Sequence, residues 1–161
     1  IDGEPMWSLL RSLDDPDHLE FPSDFDHDAT RRLFDELVGR LDAAFDCRTD
    51  ADRHVEDASL HARLSIPAAA TETGEMLVVC VSNFGRLATV ALSNPGAYSQ
   101  EEFEERLAAG DAARIYAALD SLGYQVVPEA PLWKVYDGPS ALAAIDARYG
   151  ATWWTRFFDY L

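Results

Sequence analysis

The side chains with the most chemical potential in this 161-residue sequence are four histidines, His18, His27, His54 and His61, two cysteines, Cys47 and Cys80, and the alternating acids Asp24, Asp26 and Asp28. Zinc held from one helix face needs ligands three or four positions apart. No two of these histidines have that spacing, so they read as unrelated surface residues. Alternating acids open a calcium loop, because a hard cation takes several oxygen ligands, but such a loop also needs Gly at its sixth position and Glu at its twelfth. Ala29 and Asp35 stand there instead. The triplet therefore reads as an acidic surface loop, with Asp28 as the N-cap of a following helix. The cysteines lack a CxxC or Cys-His neighbourhood and are expected to be two unpaired thiols in a reducing cytoplasm.

Nucleophilic catalysis requires a weak nucleophile beside a positioned activator. The sequence contains no GxSxG elbow and no Ser-x-x-Lys pair, and its one lysine, Lys134, leaves little scope for Schiff-base chemistry. Neither GxGxxG nor GxxxxGK[ST] occurs, so no phosphate-cradling loop is expected, and no metal or cofactor is assigned. Carboxylate pairs are uninformative here, since 29 acids bring two together in almost any fold.

The C-terminal segment ATWWTRFFDYL carries Trp153, Trp154, Phe157, Phe158 and Tyr160 at helical spacing, more apolar surface than one helix face buries. With Trp133 and Tyr136 these form the candidate partner-binding set, exposed aromatics being typical anchors at interfaces. The simpler reading is that the last helix completes the core. Trp133, Lys134 and Tyr136 read as edge-strand packing, or else as one wall of a ligand cleft.

The elements that must position these residues follow from periodicity. Met6, Trp7, Leu9, Leu10 and Leu13 predict a short helix over 4–13, followed by an acidic, Pro-containing solvated connection from Asp14 to Asp28 in which Phe21 and Phe25 pin the chain to the body. Leu33, Phe34, Leu37, Val38, Leu41 and Phe45 predict a helix from Asp28 to about Asp46. Leu60, Ala62, Leu64 and Ile66 alternate with polar residues, which predicts a strand with one wet face; Met76–Val81 is apolar on both faces and reads as a central strand. Asn83-Phe84-Gly85 joins it to a third strand, Leu87–Leu92. Ser99 and Glu102 match a capping box for a short helix. Gly110 closes that helix and Asp111 caps another, which carries Ile115, Tyr116, Leu119 and Leu122. Tyr124–Val127 and Leu132–Tyr136 predict a fourth and a fifth strand at a sheet edge, interrupted by Pro128 and Pro131. Pro139 opens a helix reaching Tyr149.

Length and a hydrophobic fraction of 48% suit one packed domain over 1–161, made of an acidic helix and loop over 1–27 and a body over 28–161. The fold class is α+β: an antiparallel sheet of three to five strands, helices packed on one face, and an N-terminal helical part. With 13 basic against 29 acidic residues, the net charge of −16 repels nucleic-acid backbones and anionic lipid, so neither is an expected partner. No apolar run approaches the ~18 residues of a membrane helix, and Ile1–Pro5 shows no signal-peptide pattern. The acidity and the Arg-over-Lys bias also fit simple solubility in a GC-rich bacterium. Among functions, the residues point first to a non-enzymatic interaction domain for a basic protein, in its concrete form an immunity-type inhibitor of a cationic toxin or nuclease. The alternatives are a small-molecule or hydrolase-like pocket lined by Trp133, Tyr136 and Trp153, and a homodimer built on the final helix.

Overall fold

The computed structural model describes residues 1–52, 61–145 and 150–159. Leu60, His54, Tyr149, Tyr160 and Leu161 lie outside the described residues.

Helix α1 (Gly3–Leu13) buries Met6 and Leu10, and α2 (His27–Phe45) buries Phe34, Leu37, Val38, Leu41 and Phe45. The cap of α2 is Asp26, whose Oδ1 accepts from Ala29 N at 3.0 Å. Asp28, expected as the cap, sits in the first turn, where its carboxylate complements the helix dipole.

Among the described residues the strands are β1 (Asp50–Asp52), β2 (His61–Ile66), β3 (Leu77–Ser82), β4 (Leu87–Leu92) and β5 (Gln125–Val126), lying in chain order across one sheet. Strands β1 to β4 form an antiparallel meander, and β5 runs parallel to β4. The sheet is therefore mixed rather than antiparallel throughout. The parallel step needs a crossover, supplied by α3 (Gln100–Arg106) and α4 (Ala109–Ser121). The capping box of Ser99 and Glu102 starts α3 as its spacing predicts. Strand β1 lies in the stretch read as a polar connection, and its pairing with Arg63–Ser65 could not be inferred from its Asp-Ala-Asp sequence.

Helices cover both faces of the sheet, not one. Leu77, Val79 and Val81 pack with α2 and α4, whereas Val78 and Cys80 pack with α1 and with α6 (Trp153–Phe158). All six residues of β3 and all six of β4 are buried, so each alternation of side chains demands its own cover.

Leu132–Tyr136 is not a strand. Pro131 lacks a ladder donor, and the chain coils into a 3-10 turn over Ala130–Trp133, with one isolated bridge pairing Val135 and Thr152. Downstream, Ser140 N donates to the Tyr136 hydroxyl at 3.0 Å, which holds residues 137–140 out of a helix until α5 (Leu142–Ile145).

The acidic connection after α1 is fastened at its start. Asp14 is buried and takes Arg156 Nε at 2.7 Å and the Tyr136 hydroxyl at 2.6 Å. The remaining Arg156 nitrogens donate to the carbonyls of Asp15, His18 and Leu19 at 2.9–3.2 Å. Asp111, expected to cap α4, is likewise fully buried within that helix. It accepts from Glu72 N (3.1 Å), Thr73 N (2.7 Å) and the Thr73 hydroxyl (2.5 Å) and so organises the turn before β3. Gly110 likewise lies inside α4 rather than closing the helix before it, and a Cβ there would stand 2.2 Å from the Glu72 carboxylate.

Candidate functional site

The C-terminal aromatics form the centre of one layer. Trp153, Trp154, Phe157 and Phe158 are all buried, and Thr152 caps their helix by accepting from Thr155 N at 3.2 Å. Trp153 meets Trp7 edge-on at 6.0 Å and Tyr136 at 4.8 Å; Trp154 stacks on Phe158 at 5.2 Å. Tyr136 and Trp153 are thus buried and packed against each other. Tyr160 lies outside the described residues.

Among the described members of the candidate set, Trp133 is the one that reaches solvent, at 40% exposure, and Val135 beside it is 67% exposed. The Trp133 ring stacks on Trp154 at 5.0 Å with a 14° tilt, and its indole N–H donates to the Glu129 carboxylate. The same oxygen accepts from Gly96 N at 2.6 Å. Gly96 has a φ of +84°, and a Cβ there would lie 3.2 Å from the Trp133 ring. Burial pushes the Glu129 carboxyl up, opposed by the bonds from Trp133 and Gly96. A rigid aromatic shelf results, with its ring face and edge fixed from beneath and its outer surface open.

A groove of about 490 Å³ opens between α3, α4, β5 and the first residues of the chain. Half-buried Phe103, Tyr116 and Val126 form its floor, and exposed Asp2, Glu104 and Asp120 stand at its lip. Its lining includes no lysine or arginine. Pro131 also lines it, so the Pro128–Trp133 segment connects groove and shelf. Gln100 Nε2 holds Glu104 Oε1 at 2.8 Å.

The two thiols are poorly placed for chemistry. The Cys80 thiol is buried and pushed up to about 12, and burial together with Asp42 and Asp46 raises that of Cys47; both thiols are free. Neither thiolate is populated at neutral pH. Among the described residues, no three His, Cys, Asp or Glu side chains converge as metal ligands, and no helix is long and apolar enough to cross a membrane.

Sequence reasoning missed the Glu129 latch and the groove. The four-residue spacing of Glu129 and Trp133 was a usable signal; the approach of α3 and α4 to β5 had none.

The class these features define is an α+β domain of three layers, helices on either side of a mixed sheet, with an aromatic shelf and an acid-lipped groove on its surface. No protein-family model, curated protein or solved structure matches the chain.

Proposed function

We propose that this chain is a non-enzymatic interaction domain that engages a basic protein, with an immunity-type inhibitor of a cationic toxin or nuclease in the bacterial cytoplasm as its concrete form. The observation that carries the reading is the disposition of charge. Arg11, Arg40, Arg106, Arg114 and Arg156 are each paired with carboxylates of the chain itself, at 2.7–3.6 Å. Five of the 13 basic residues are thus engaged within the chain, and the 29 acids leave a net charge of −16. Such a field accelerates encounter with a cationic partner and selects against anionic ones. Trp133, held rigid from below and open above, supplies contact area at little entropic cost. Occlusion of the partner's basic surface is the mechanism.

Purification from the native host at about 50 mM and about 500 mM salt tests this. The expected result is a stoichiometric protein of high pI, held at low salt and released at high salt, whose affinity falls about 30-fold in Trp133→Ala. A chain that instead carries a tightly held metabolite, or that elutes as its own dimer with no basic protein at low salt, overturns the reading in favour of a pocket or a homodimer.

A further inference from the structure

We propose that the Asp15–Pro16 peptide bond is a self-cleavage site, at which the Asp15 side-chain carboxylate attacks its own main-chain carbonyl carbon. An aspartyl-prolyl pair brings nucleophile and leaving group together in adjacent residues. The carboxylate closes a small ring on the carbonyl of its own residue, an arrangement of high effective concentration. The prolyl nitrogen, a tertiary amide with no N–H, is the leaving group. The fold supplies the polarisation. The Asp15 carbonyl oxygen accepts from Arg156 Nη2 at 2.9 Å and from His18 N at 3.2 Å. One of these donors sits on a fully buried guanidinium, whose Nε is held by Asp14 at 2.7 Å. Two preorganised donors on one carbonyl oxygen are what stabilises the oxyanion of an acyl transfer.

The same turn places the acid and the base. Asp15 Oδ1 accepts from Asp17 N at 3.1 Å, and Oδ2 meets His18 Nδ1 at 2.7 Å. These contacts, the Asp17 N–H foremost, hold the Asp15 carboxyl below its ordinary value and so keep it in the ionised form that attacks. A carboxylate lone pair forms the new C–O bond while the carbonyl electrons move onto the oxygen held by Arg156 and His18 N. Their return breaks the C–N bond. The Pro16 nitrogen leaves with a proton from the His18 imidazolium, and a cyclic anhydride remains at Asp15. One water opens the anhydride to two carboxylates, and the two protons released go to the new prolyl amine and back to His18. Pro16 and Asp17 are exposed, so water reaches the bond. After scission, residues 1–15 stay docked through buried Met6 and Leu10 and through Asp14 on Arg156 and Tyr136, and Pro16 becomes a new amino terminus. The chain acts once on itself, which is compatible with a binding role.

The full chain, incubated at neutral pH and sampled over days, is followed by intact mass under denaturing conditions, beside the same chain kept unfolded in urea. The folded chain should yield residues 1–15 and 16–161, together heavier than the parent by one water, about 10²–10³-fold faster than the unfolded chain. In hydroxylamine, part of the 1–15 piece should carry a hydroxamate, which an anhydride gives and direct attack of water on the peptide does not. Asp15→Ala should abolish scission, and His18→Gln should slow it about 10²-fold, with the fold of each checked by its thermal melt. Should either variant fail to fold, the comparison of folded and urea-unfolded parent still decides. A folded chain that stays intact, or that is cut no faster than in urea, overturns the proposal, and the donors on the Asp15 carbonyl then only fasten the loop. Undiminished scission in folded Asp15→Ala or His18→Gln likewise overturns it.

Discussion

Arg156 is fully buried, with its guanidinium 4.6 Å over Phe84 and 5.2 Å over Phe157, its Nε on Asp14 and its other nitrogens on three loop carbonyls. Such a pair is held in place less by its own attraction than by the cost of breaking it, since removing one partner strands a buried charge. Arg156→Met should therefore lower unfolding free energy by about 3–5 kcal/mol in urea titration. Adding Asp14→Asn to it should recover part of that loss, because the two sites share one network. Asp111 allows a pH test. Burial alone would raise its carboxyl, but the Thr73 hydroxyl, the backbone N–H groups of Glu72 and Thr73, and Arg114 outweigh burial and hold it below the ordinary value. A depressed folded-state value stabilises the fold above the ordinary carboxyl pKa and loses that stabilisation as pH falls through the folded-state value. The parent should thus lose more stability than Asp111→Asn on acidification below about pH 4 in a series of urea melts. At neutral pH the Asn variant should be the weaker of the two.

At the scale of elements, residues that start or bend the chain determine what the surface displays. Pro128 and Pro131 turn an apolar run into a 3-10 coil, and this is why Trp133 projects instead of lying in a strand. Gly96 is the opposing element. Its positive φ brings its backbone N–H onto Glu129 beneath the Trp133 ring, where a Cβ would crowd the indole at 3.2 Å. Gly96→Ala should destabilise by about 1 kcal/mol or more and shift the tryptophan emission as Trp133 leaves its stack on Trp154. A change in denaturation midpoint with no change in emission counts against this account of the shelf. Helix α3 is short and depends on its capping box, in which Ser99 Oγ accepts from Glu102 N at 3.2 Å and Glu102 Oε2 from Ser99 N at 2.8 Å. It carries Phe103 and Glu104 into the groove, so the integrity of the groove is coupled to that cap.

For the whole molecule, three layers and a net charge of −16 act in opposite directions. Burial on both faces of β3 and β4 holds the sheet between helices, while unbalanced carboxylates repel one another across the surface. Salt should therefore have two effects of opposite sign. Between about 0.05 M and about 0.5 M the Tm is expected to rise as self-repulsion is screened, while association with a basic partner weakens as steering is lost. Parallel calorimetry and binding measurements on one preparation check both. If salt raises Tm and leaves association unchanged, the acidity serves solubility alone.

Periodicity made α1, α2, β3 and β4 legible, because burial on a helix stripe or a strand face leaves a pattern within a few consecutive residues, and a capping box made α3 so. Composition bounded the charge and, with the α+β pattern, the class. The groups that proved distinctive were decided by contacts across the chain: Asp14 with Arg156, Gly96 with Glu129 and Trp133, Asp111 with Thr73, and α4 with β5. An isolated Asp reads the same whether it faces water or a buried guanidinium, and a Trp-rich tail reads the same whether it docks on another protein or on its own sheet. The local sequence determines which surfaces must be covered, whereas which element covers them depends on packing between segments more than a hundred residues apart, such as Asp14 and Arg156.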